Sequence, residues 1–226
     1  IIIISILVSG SIFAQGFLHN MDGEVVDGNG EPILLRGFGL GGWLVPEGYM
    51  LHNQAWIEGF ESPTDIENHV IDLIGQDEAN DFWELYRENY VAQADIDKIA
   101  EWGFNHIRVP FHYKQFHDST GIETPIGYAI VDELITWCQP HNIYIILDMH
   151  CAPGAQNGGP ISDSDGIARL WLEDSYKELT IQIWKEIATY YADHTLIAGY
   201  DLINEPVFPS SVSLEEFKQL YVDITE

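Results

Sequence analysis

The chain has 226 residues, with 9 Lys and Arg against 36 Asp and Glu, for a formal net charge of −27. Hydrophobic residues make up 46% of it, enough for a packed core, which excludes an intrinsically disordered chain. The carboxylate surplus argues against nucleic acid, whose phosphates need Lys and Arg, and against an anionic membrane surface, and it leaves neutral carbohydrate open.

The chain begins with an apolar run, Ile1 to Ala14. It is too short to span a bilayer, which takes ~20 residues. It fits the apolar part of a secretory signal peptide, with Ala14 at a cleavage point before Gln15. Ile12 fits the small residue of such a site poorly, and a β-branched first strand is the competing reading. The expectation is a signal remnant over 1–14, one domain over 15–226, and a secreted or periplasmic protein. No Met opens the sequence and no stop signal closes its last helical pattern, so truncation at both ends is expected.

Asp27-Gly28-Asn29-Gly30 is a tight-turn signal between short extended runs and predicts a hairpin. Four apolar, β-branched runs follow, at Ile33–Phe38, Asn105–Val109, Ile143–Met149 and Ala198–Ile203. Between them lie helical patterns. Thr64–Ile74 has Thr64 and Asp65 as start signals. Asp81–Trp102 reads as one long acidic helix, and Ile130–Cys138 and Leu170–Tyr191 as two more. Ser213 with Glu216 opens a last one as a capping box. Alternating strands and helices imply a parallel sheet with crossover helices.

A doubly wound sheet and a closed (β/α)8 barrel both fit that order. Polar residues at successive strand ends favour the barrel. The glycines after the first strand, Gly37 to Gly42, lack the G-x-G-x-x-G spacing of a nucleotide-binding turn.

Asn204-Glu205-Pro206 follows the fourth run. A Glu at a strand mouth suits a general acid, because partial burial raises its pKa toward neutrality. Arg108 shares a strand face with Phe104 and His106 and needs a carboxylate partner. His150 shares the inward face of its strand with Asp148. His106 reads as a hydrogen-bonded core histidine. There is no His-x-His on the first strand, no His-Glu-x-x-His and no Gly-x-Ser-x-Gly. Neither a metal nor another cofactor is expected. Cys138 and Cys151 are separated by a strand of ~23 Å, beyond disulfide reach, so two free structural thiols are expected.

Four segments together resemble glycoside hydrolase family 5, the cellulase-type β-glycanases. They are Leu35–Leu44, Asn105–Pro110, Ile146–His150 with Pro153-Gly154, and Asn204-Glu205-Pro206, in family order. The resemblance implies the N-terminal half of a (β/α)8 TIM barrel, truncated after about the fourth βα unit. Strand starts average ~55 residues apart, and eight such units need roughly 400 residues. It also implies a retaining mechanism on a β-glucan oligo- or polysaccharide. Glu205 would be the acid/base, Asn204 would bind the sugar 2-hydroxyl, and Arg108 and His150 would organise the carboxylates. The family's nucleophile, a Glu at the seventh strand end, would be missing, so this chain alone is expected to be inactive. The loops around Gly41–Met50 and Ala152–Gly158 resemble the exo-β-1,3-glucanase branch, which places Glu47 and Asn157 at substrate. Trp43, Phe111, Tyr113 and Trp171 could stack on sugar faces, but such rings are as often core.

Overall fold

The computed structural model describes residues 16–51, 59–118 and 120–226. The signal remnant expected at residues 1–14 lies outside the described residues. β1 (His19–Met21) and β2 (Glu24–Val26) form an antiparallel hairpin. It turns at Asp22-Gly23, whose φ angles are 54° and 91°. The turn expected at Asp27–Gly30 is present one step later. There the Asp27 carboxylate accepts from the Asn29 and Glu31 amides at 2.8 and 3.0 Å, and the chain returns to bridge Val26 with Pro32.

β3 (Gly37–Gly39), β4 (His106–His112), β5 (Tyr144–Cys151) and β6 (Ile197–Asp201) form a parallel sheet in that spatial order. The strands are the expected ones, except that Ile33–Leu35 stays outside the ladder. Asn105 explains the difference. Its Oδ1 accepts from the Arg36 N–H at 2.7 Å and its Nδ2 donates to the Leu34 carbonyl at 3.0 Å. A side chain thus takes the backbone groups that a neighbouring strand would otherwise use. Pairing starts at Gly37, where any Cβ would collide with the His106 carbonyl. Only glycine lets the two strands approach so closely there.

A short turn, α1 (Gly48–Leu51), follows the first loop, and α2 (Pro63–Ile74), α3 (Gln76–Tyr90) and α4 (Gln93–Glu101) complete the connection to β4. Ser62, not Thr64, caps α2. Its Oγ accepts from the Asp65 N–H at 3.1 Å, and the Asp65 carboxylate accepts from the Ser62 N–H at 3.2 Å. The single helix expected over 81–102 is two. Val91 breaks it by turning extended, at φ −124° and ψ 128°, and entering the core. Helical spacing alone conceals this, because burying Val91 outweighs continuing a polar helix. α5 (Ile126–Cys138), α6 (Asp174–Tyr190) and α7 (Leu214–Thr225) follow. α6 starts later than expected because Arg169–Trp171 forms a 3-10 turn that buries Leu170 and Trp171. The capping box of α7 is present, with Ser213 N–H to the Glu216 carboxylate at 2.7 Å and Glu216 N–H to Ser213 Oγ at 3.2 Å.

Ile107, Val109 and Phe111 of β4 and Ile145, Leu147 and Met149 of β5 are buried in one cluster with Val131 and Leu134 of α5 and Ile183, Trp184 and Ile187 of α6. Of the alternate residues, His106, Arg108, Ile146 and His150 are half-buried, and Pro110, Tyr144 and Asp148 are buried. A doubly wound sheet would cover both sets. One packed face, and one partly open face bearing polar groups, is the layout of a partial (β/α)8 barrel. Cys138 and Cys151 are both free and buried. Burial pushes the Cys138 thiol up to about 12 and Cys151 well above its ordinary value, so both stay protonated and inert.

Candidate active site

The C-terminal ends of β4, β5 and β6 converge on Arg108. Its Nη2 lies 3.0 Å from Asp148 Oδ2 and 2.9 Å from Asp201 Oδ2, and its Nε donates to the same Asp201 oxygen at 3.1 Å. Nη2 also donates to Asn204 Oδ1 at 2.8 Å. Asp148 is fully buried. Burial pushes its carboxyl above the ordinary range, against the pull of His150 and Arg108. His150 Nδ1 is 2.7 Å from Asp148 Oδ2, and Asn204 Nδ2 is 3.3 Å from His150 Nε2.

These contacts determine both orientations. Arg108 can only donate, so Asn204 turns its oxygen toward it and its nitrogen toward His150. His150 Nε2 then accepts, and Nδ1 carries the proton that Asp148 receives. Glu47, in the loop after β3, is buried and places Oε1 3.8 Å from His150 Nε2. Burial raises its carboxyl too, and the nearby Glu205 charge adds to the rise.

Glu205 has φ +43° and an exposed side chain. A left-handed non-glycine residue costs on the order of 1–3 kcal/mol and marks a position held by its surroundings. The partial burial expected at Glu205 is therefore absent among the described residues. Among the described residues, β6 is the edge strand of this sheet.

The structure brings Arg108, His150, Asn204 and Glu47 together and corrects several other expectations. Asn157 ties its own loop to the residue after Asn204. Its Nδ2 donates to the Glu205 carbonyl at 3.0 Å, and its Oδ1 accepts from Gly159 N–H at 2.8 Å and Ser162 Oγ at 3.0 Å. Trp43 and Trp171 are core residues, each 3% exposed. Their indole N–H groups donate at 2.8 Å to the carbonyls of Arg87 and Gln156. Phe111 is also buried, edge-on to Phe116 and Trp184. None of the three offers a free ring face. Tyr113 remains half-buried beside a cavity of about 280 Å³ that Lys114, Asp163 and Arg169 also line. His106 is half-buried, and among the described residues its Nδ1 has no hydrogen-bond partner, contrary to the satisfied core histidine expected. Among the described residues, no group of three or more His, Cys, Asp or Glu is arranged to hold a metal ion.

Sequence reasoning missed Asp201 and Gln156. Asp201 ends β6 in register with Asp148, and strand alternation together with the need to neutralise Arg108 pointed to it. Gln156 carries no such pattern.

A second cluster ties three loops together. Asp163, at φ +57°, accepts from Thr64 N–H at 2.8 Å, Thr64 Oγ1 at 2.6 Å and Lys114 Nζ at 3.2 Å, and lies 2.9 Å from His112 Nε2. The Lys114 N–H donates to His112 Nδ1 at 3.1 Å, so the ring is neutral with its proton on Nε2. Burial alone would raise Asp163, but its donors hold it far below the usual carboxylate range. Burial pushes His112 down, against the pull of Asp163.

Both shifts make acid destabilising. Stability is lost as pH falls below about 6.5 for the histidine and below about 3.9 for the carboxylate, the unfolded values. Asp163→Asn should cost about 2–3 kcal/mol at pH 7 in urea titration. The gap to wild type should narrow below about pH 4, where the carboxylate contribution is lost anyway. A gap that stays constant with pH would show that the charge does not matter.

The family model for cellulase (glycosyl hydrolase family 5) matches residues 64–224. The chain belongs to glycoside hydrolase family 5. It is 35% identical over 195 residues to a beta-xylosidase of Phanerodontia chrysosporium, covering 84% of this chain and 40% of that protein. It is 28% identical over 191 residues to a probable glucan 1,3-beta-glucosidase A of Aspergillus niger, covering 83% of this chain and 45% of that protein. The chain thus spans about half the length of the curated relatives it matches. In fold it is similar to the crystal structure of rutinosidase from Aspergillus niger, with a TM-score of 0.68 and 20% identity over 84% of this chain and 58% of that one. The family 5 match takes in Arg108, His150, Asn204 and Glu205, and Glu47 lies before it.

Proposed function

We propose that the full protein is a retaining glycosidase that cleaves β-glucan. The observation carrying this reading is Asn204, locked between Arg108 and His150 immediately before Glu205 at the mouth of β6. Asn204 Nδ2 keeps a second N–H for a sugar hydroxyl. Glu205 donates its proton to the glycosidic oxygen while a second carboxylate attacks the anomeric carbon. The bond to the leaving oxygen breaks as the glycosyl ester forms. Glu205, now ionised, takes a proton from water, whose oxygen displaces the ester, so both carboxyl groups return to their starting states.

The second carboxylate must lie ~5–5.5 Å from the first. We assign it, as the resemblance to family 5 implies, to a Glu outside these 226 residues; Asp148 and Asp201 are paired with Arg108. The 226-residue chain by itself is accordingly proposed to be inactive. Secretion is part of the reading and is supported by the apolar run at 1–14. No helix among the described residues is long and apolar enough to cross a membrane.

A second reading narrows the substrate to chain ends of β-1,3-glucan. It is favoured by Glu47, a buried carboxylate brought to the site by the first loop. The test is ¹H NMR of the full-length protein acting on laminari- and cello-oligosaccharides. The first sugar released should be the β anomer, and laminari-oligosaccharides should lose glucose from one end. Initial release of the α anomer, or no hydrolysis of either series, would overturn the main reading. Preference for the cello series would overturn only the second.

A further inference from the structure

We propose that Gln156 is a positioning residue that fixes where Glu205 and Asn204 present their side chains. The proposal rests on the reading of Glu205 as the acid/base. Gln156 lies in the loop between β5 and α6 and is completely buried. Its Nε2 donates to the carbonyls of His150 at 2.6 Å and Asn204 at 3.0 Å, and its Oε1 accepts from the Ala152 N–H at 3.0 Å. Both N–H donors and one lone pair of this amide therefore bridge the exits of β5 and β6.

The main chain continues the grip. The Gln156 carbonyl accepts from the Val207 N–H at 3.0 Å, and the neighbouring Asn157 donates to the Glu205 carbonyl at 3.0 Å. Two consecutive residues thus hold the carbonyls of Asn204 and Glu205 and the amide of Val207. Glu205, between these anchors, has φ +43°.

A residue with a Cβ keeps such a φ only where its surroundings over-determine it. Relaxation to negative φ would re-aim the Cα–Cβ bond and swing the carboxyl away from a glycosidic oxygen. Gln156 is neutral and does not touch the Glu205 carboxyl, so its action is geometric. It touches the site only through backbone, which is why no charge or motif in the sequence marks it.

The leaving group provides the test. Dinitrophenolate departs from its glycoside without a proton, whereas the alkoxide of an alkyl glycoside of the same sugar needs the acid. In the full-length protein, Gln156→Met should lower kcat/KM on the alkyl glycoside by about 30-fold or more, as expected for a displaced general acid, and by less than about 3-fold on the dinitrophenyl glycoside. Asn157→Asp, which keeps the acceptor for Gly159 and Ser162 but replaces the donor to Glu205 with a carboxylate oxygen that repels the Glu205 carbonyl, should show the same selectivity at smaller size. It carries the test if Gln156→Met does not fold.

Equal losses on both substrates, or none on either, would overturn the positioning role. Glu205→Gln is the reference. If it also hydrolyses the alkyl glycoside like wild type, the functional reading fails. If it loses that activity while both loop variants keep theirs, only this inference fails.

Discussion

Replacing Glu205 with Gln should lower kcat/KM of the full-length protein on a β-glucan oligosaccharide by about 10³-fold, within the range a general acid supplies. Gln keeps the length and the polar end of the side chain and removes the proton that the leaving oxygen needs. The side chain is exposed, and its backbone is held through the Glu205 carbonyl rather than through the carboxyl. Folding stability should therefore stay within about 0.5 kcal/mol of wild type. The measurement pairs initial rates with a urea titration. Wild-type turnover by a folded Gln variant would remove Glu205 from the chemistry.

Arg108→Met should produce the largest combined loss of stability and activity. The cost sits with Asp148, which has no exposed surface and would keep His150 as its remaining partner. Asp201 is partly exposed and water can replace the guanidinium there. Stranding one partner of a buried pair costs about 3 kcal/mol. Asn204 would also lose the donor that orients its amide, and such a misplacement costs about 100-fold in kcat/KM.

The stability penalty should depend on pH in a defined direction. Burial already raises the Asp148 carboxyl above its unfolded value, and removing Arg108 raises it further. The folded state then holds the proton more tightly than the unfolded state, so stability falls as pH rises through the folded value. Urea midpoints at pH 5 and pH 8 should show the larger penalty at pH 8. Equal penalties would mean that Arg108 is not neutralising an ionised Asp148.

Much of this site is legible from strand ends alone. Arg108, His150 and Asn204 follow buried apolar runs, and strand alternation puts Arg108 and His150 on the open face. The capping box at Ser213 and the separation of the two thiols are equally local, and the structure contains both features as read. The aromatic residues resist such reading. Trp43 and Trp171 flank the site in sequence, yet each sends its indole N–H to a backbone carbonyl inside the core. A ring that is buried and a ring that stacks on sugar have the same local pattern, and only the tertiary partner separates them. The tie made by Asn157 is hidden for the same reason, since its partner is a carbonyl far along the chain. Val91 shows the complementary limit, where a core contact overrides a helical period on both sides.

The knot at Asp163 joins the start of α2 through Thr64, the segment after β4 through Lys114, and the β5–α6 loop that carries Asp163 itself. These loops are therefore not independent modules. Grafting in a β5–α6 loop that lacks the Asp163 carboxylate, without changing its two counterparts, would leave the Lys114 ammonium without that partner. Diversity on this rim has to be exchanged as a set of three loops, which restricts how this scaffold can acquire a new specificity.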